Sequence, residues 1–125
     1  MGIPTNSSTF TGVYCRVTVG DLCWTAEGLL TFVYQVEHVG TKLPVILNGS
    51  LAICIFFDEH DSEIGVIEYR ITFARDFRTG KARMSVHDIT VPVPEKAIWL
   101  VVQSGADVSE RTNKVRIPAR GSHNR

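Results

Sequence analysis

Leu51-Ala-Ile-Cys-Ile-Phe-Phe57 is an unbroken apolar run. The polar burst Asp58-Glu-His-Asp-Ser-Glu63 follows it, and after Ile64-Gly65 the stretch Ile67-Glu-Tyr-Arg-Ile-Thr-Phe73 alternates apolar with polar. A continuous apolar run bounded by turn residues reads as a buried strand, and strict alternation reads as a half-buried one. Joined through a polar tip they form a β-hairpin, the expected spine of an all-β domain. Pairing Ile55 with Tyr69 or Ile67 keeps apolar against apolar and leaves the register defined to within two residues.

Working towards the N-terminus, Val13, Cys15, Val17 and Val19 share one strand face, and Gly20-Asp21 has the Gly-first form of a two-residue hairpin turn. Closing that turn sets Val19 against Leu22 and Val17 against Trp24, all on one side. It also sets Cys23 against Thr18, so no Cys15–Cys23 bridge is expected. A further loop Ala26-Glu27-Gly28, with Gly28 in the left-handed conformation, sets Trp24 against Leu30. Residues 1–12 are polar and turn-rich and are expected to be a flexible arm. Val45-Ile-Leu47 offers a short bridging strand before the Asn48-Gly49 turn.

Towards the C-terminus, Phe73 is expected to run on to Phe77, turn at Arg78-Thr-Gly-Lys81, and return with Ala82, Met84 and Val86 facing inward and Asp76 opposite Arg83. The prolines of Ile89-Thr-Val-Pro-Val-Pro94 demand an edge or a crossing segment. Ala97-Ile-Trp-Leu-Val-Val102 is a second doubly apolar strand, Ser104–Asp107 a turn, and Val115 with Ile117 a last edge strand. The whole reads as one domain over residues 13–118 with a tail at 119–125. Its class is all-β, an antiparallel immunoglobulin-like sandwich of about seven to eight strands, with a small flattened barrel as the alternative.

The chain has 125 residues and a formal net charge of zero, which argues against a dedicated nucleic-acid binder. Three cysteines do not make a disulfide framework, and Cys54, mid-strand, reads as an inert core thiol. The start Met1-Gly-Ile-Pro-Thr-Asn lacks a basic region followed by an apolar stretch, so export is not expected, and no run is long enough to span a bilayer. A cytoplasmic or particle-bound location follows as the expectation.

Three constellations stand out. Asp58, Glu59, His60, Asp61 and Glu63 cluster at one hairpin tip without the ligand spacing of a calcium loop, so a solvated tip is expected and no metal site or cofactor. Arg70, Arg75, Arg78, Lys81 and Arg83 gather at the other, with Tyr69, Phe73 and Phe77 interleaved but directed inward, away from any stacked base. Acidic and basic ends on one module suggest head-to-tail association. The histidines are expected at the surface. His87 with Ser85 or Cys23 would make a hydrolase only if Asp88 joined them, and adjacent strand residues face opposite ways.

The two doubly apolar strands suggest a contact patch containing Phe56 and Trp99. The acidic residues Asp58, Glu59, Asp61 and Glu63 at one end and the basic residues Arg75, Arg78, Lys81 and Arg83 at the other are the further expected interface residues. The expected function is non-catalytic protein–protein contact, with itself or another protein. The alternatives are a small-ligand or carbohydrate module using Tyr14, Trp24 or Trp99, and a hydrolase with a site in the loops.

Overall fold

The computed structural model describes residues 7–12, 15–40, 51–104 and 111–120. The expected strand at residues 45–47, the turn at 48–49, most of the turn and loop at 104–114, most of the tail, and all but the inner end of the arm lie outside those residues. The strands are β1 (Ser8–Thr11), β2 (Cys15–Trp24), β3 (Leu30–His38), β4 (Leu51–Phe57), β5 (Glu63–Arg70), β6 (Met84–Val91), β7 (Trp99–Ser104) and β8 (Val115–Arg116), with one helical turn, α1 (Arg75–Arg78). They form two four-stranded antiparallel sheets in the orders β1-β2-β3-β6 and β5-β4-β7-β8. The fold is a β-sandwich, not a closed barrel.

Three local devices differ from the sequence reading. First, Gly20-Asp21 is not a hairpin turn. Between the pairs Gly20↔Val33 and Cys23↔Thr31, β2 advances three residues while β3 advances two, so β2 continues through a bulge with Asp21 at φ 56°. The extra residue is why Val17 and Val19 are buried before it and Leu22 and Trp24 after it, all on one face. The expected shared face is real, and a bulge rather than a turn creates it. The next connection is as expected, with Trp24 opposite Leu30 and Gly28 at φ 83°.

Second, β5 ends at Arg70, and residues 71–83 cross to the other sheet, where β6 pairs with β3. No hairpin tip forms at Arg78–Lys81, and β6 is turned opposite to expectation. Ile89 and Val91 are buried, whereas Met84 and Val86 are 45% and 56% exposed. Ile71, Phe73 and Phe77 do point inward, and α1 carries Phe77 into the core. Asp76 and Arg83 do not pair across a hairpin. The Asp76 carbonyl accepts from the Ala82 amide, and Arg83 reaches the carbonyls of His38 and Gly40. Third, Ser8–Thr11, inside the expected arm, is an edge strand on β2.

The core lies between the sheets. Phe32, Phe56, Phe77, Leu30, Ile89 and Leu100 are its largest fully buried side chains, each contributing about 1.5–3 kcal/mol by leaving water. Trp24 joins the sheets: its indole N–H donates to the Pro118 carbonyl at 2.9 Å, and the Arg120 guanidinium lies 4.4 Å from its ring centroid.

Candidate functional site

The central hairpin pairs Ile55 with Val66, Cys54 with Ile67 and Ala52 with Tyr69, one residue off the expected register. Such a slip exchanges the faces. Ala52, Cys54 and Phe56 therefore line the interior, each at 0% exposure. Across β7, Phe56 opposes Leu100 while Phe57 opposes Trp99. Phe56 and Trp99 thus look to opposite sides of the sheet. The expected patch containing both does not exist, and Phe56 belongs to the core.

The same register builds a different surface. Ile53, Ile55 and Phe57 of β4, Val66 of β5, and Trp99 and Val101 of β7 share the outward side of the β5-β4-β7-β8 sheet. Ile55 and Val101, at its centre, are 2% and 5% exposed yet lie outside the cluster packed between the sheets. Around them Ile53, Phe57 and Trp99 are half-buried and Val66 is 49% exposed. Polar groups stand at the edges: Glu68 and Arg70 continue β5 outward, and Arg116 of β8 lies 5.3 Å from the Trp99 ring. Lys114 sits 4.8 Å from the Phe57 ring.

The opposite outer face is mixed: Val33, Met84 and Val86 lie on it, the last two 45% and 56% exposed, among polar groups. Thr9 meets Thr18 at 3.2 Å, Thr31 meets Thr90 at 3.3 Å, and Arg16 pairs with Glu37 at 3.0 Å. Sequence reading missed Ile53, Phe57 and Val66 because both faces of β4 are apolar, and alternation alone cannot say which is inside.

The acidic turn is built from itself. Asp58 Oδ1 accepts from the amides of His60 and Ser62 at 2.9 and 3.0 Å, and Asp61 sits at φ 67°. Those amides hold the Asp58 carboxyl below its usual range, Ser62 most strongly. Glu59 pairs loosely with His60 at 3.4 Å, both exposed, and Asp61 pairs with Lys114. Glu63, also exposed, starts β5. An open depression of about 450 Å³ lies beside the turn, lined by Asp58, Glu59, His60, Glu95, Lys96 and Ile98. No three His, Cys, Asp or Glu among the described residues converge as a metal site.

At the far end of β5, Arg78 donates to the Phe73 carbonyl at 3.2 Å and Arg83 caps the end of β3. Arg75 and Lys81 are exposed. The acidic turn and basic crossover therefore stand at opposite ends of β5, which spans roughly 25 Å at ~3.3 Å per residue.

Ser85 and His87 do meet, at 2.7 Å, on the inner side of β6. Burial lowers the His87 pKa, and Phe73 meets its ring edge-on at 5.3 Å. Asp88 is exposed opposite Val33 on the other face, so the third group of a hydrolytic triad is not supplied there. His60 is exposed, but His38, expected at the surface, is 3% exposed. Of the aromatics expected for a sugar site, Trp24 is 5% exposed, Trp99 is half-buried on the outer face and Tyr14 lies outside the described residues. No helix among the described residues is long and apolar enough to cross a membrane.

These features define a class, a two-sheet antiparallel sandwich whose β5-β4-β7-β8 sheet carries aliphatic and aromatic side chains on its outer side. Comparison of the chain with protein-family models, with curated proteins and with solved structures finds no match.

Proposed function

We propose that this chain is a non-catalytic β-sandwich module that works through protein–protein contact, with a second copy as its partner. The observation that carries this reading is the outer face of the β5-β4-β7-β8 sheet. The exposed Val66 and the half-buried Ile53, Phe57 and Trp99 surround the buried Ile55, Val101 and Gln103 and are edged by Glu68, Arg70 and Arg116. An apolar middle with a polar rim is the usual anatomy of a contact surface. The strand order supports an immunoglobulin-like sandwich. Taking β2 to β8 as successive strands, β3 beside β6 and β4 beside β7 reproduce that fold's second-with-fifth and third-with-sixth neighbours.

Charge favours a second copy. When two such faces stack with strands antiparallel, the acidic turn of one (Asp58, Glu59, Asp61, Glu63) lies over the basic crossover of the other (Arg75, Arg78, Lys81, Arg83). A two-fold arrangement of this kind closes on itself. Light scattering after size exclusion tests it. A dimer is expected, weakened but still present at high salt because screening reaches the ends and not the apolar centre. Replacing Arg75 and Lys81 with Glu weakens it further at low salt. A monomer at every concentration and salt would remove the reading.

A further inference from the structure

At the end of the sandwich beside the crossover, Cys15 opens β2 directly opposite His38, which closes β3. The His38 ring stacks on Phe77 with centroids 4.1 Å apart and planes 15° apart. Its Nε2 lies 2.7 Å from the Phe77 carbonyl oxygen. A carbonyl only accepts, so Nε2 carries the ring proton and Nδ1 keeps a lone pair. Nδ1 lies 4.0 Å from Cys15 Sγ, the outer limit of a sulfur hydrogen bond. The backbone holds the ring in place: the His38 amide donates to the Arg83 carbonyl at 2.9 Å, and Arg83 donates back to the His38 carbonyl at 3.2 Å. A histidine 3% exposed thus aims its basic nitrogen at a half-buried thiol.

We propose that Cys15 is a modification site for soft carbon electrophiles, with His38 as its base. The thiol proton passes to His38 Nδ1, leaving a thiolate beside an imidazolium whose Nε2–H stays on the Phe77 carbonyl. The thiolate pair forms the new S–C bond, and the leaving group departs with the electrons of the bond it breaks. Arg83 and Arg78, bonded to the His38 and Phe73 carbonyls, are the cations on the crossover side. Asp76 is exposed on α1, Arg16 and Glu37 pair with each other on the outer face, and His87 of β6 contacts Phe73.

Iodoacetamide labelling of the full chain, read cysteine by cysteine by mass spectrometry from pH 5.5 to 9, tests the pair. Cys23, also half-buried, is the internal reference. At pH 6 Cys15 is expected to label about tenfold faster than Cys23, the gain in thiolate outweighing the loss in nucleophilicity. Its rate is expected to change less with pH than in the His38→Gln protein. His38→Gln brings Cys15 back to the Cys23 profile and leaves Cys23 unchanged. Cys15 tracking Cys23 across the range in the unsubstituted protein overturns the proposal, and that arm needs no variant to fold. A folded His38→Gln protein with unchanged Cys15 labelling overturns it equally.

Discussion

Phe56 and Val66 are both apolar and both lie on the central hairpin, yet one is wholly buried and the other 49% exposed. Their substitutions separate core from surface. Phe56→Ala is expected to cost about 3–5 kcal/mol in urea unfolding, whereas Val66→Glu stays within about 0.5 kcal/mol of the parent, as surface changes do. The pH dependence of stability is set by single residues too. Burial keeps His87 neutral in the fold below its ordinary value of 6.5, so the unfolded chain takes up its proton first. Stability is full above pH 6.5 and declines as pH falls towards the depressed folded value. Asp58, lowered from 3.8, adds a loss at lower pH, as its carboxylate is protonated. Melting curves between pH 7 and 5 are expected to show the first decline, and His87→Gln to flatten it. Burial pushes the Cys54 thiol up to about 12, so it is expected to stay unlabelled until the protein unfolds. That inert thiol was legible from its apolar neighbours. The outward side of Phe57 was not, because residues of one kind on both faces carry no directional signal.

At the scale of elements, the sequence revealed where strands lie better than how they are joined. The alternation around Val17, Val19, Leu22 and Trp24 required a change of parity, and a two-residue turn and a one-residue bulge supply the same change. Only the pairing of both halves of β2 with β3 distinguishes them. The stretch from Phe73 to Ala82 misled for a related reason. Its apolar residues are inward at Phe73 and Phe77, but a helical turn and a crossing between sheets bring them there. The bulge has a measurable signature. Asp21 holds φ 56°, so Asp21→Val is expected to destabilise by about 1–2 kcal/mol and Asp21→Gly to be tolerated. Gly65 is constrained by space: a Cβ there would meet Pro94 Cγ at 2.7 Å. Gly65→Val is therefore expected to cost about 1–3 kcal/mol unless Pro94 yields.

For the whole molecule, the two outer faces of the sandwich differ: one carries threonines, an ion pair and the exposed Met84 and Val86, the other aromatic and aliphatic side chains around the buried Ile55 and Val101. That β4 and β7 are apolar on both sides was legible in the sequence. Which residues lie on the outer side was not, since that follows from a register set by pairing. Sedimentation velocity of the parent chain and of Val66→Glu, over a wide concentration range at moderate salt, addresses the contact face most directly. The parent is expected to shift from monomer to dimer as concentration rises, and Val66→Glu to remain monomeric with the melting temperature of the dilute, monomeric parent. A Val66→Glu protein that dimerises as readily as the parent, or a parent that never leaves the monomer, would contradict the account.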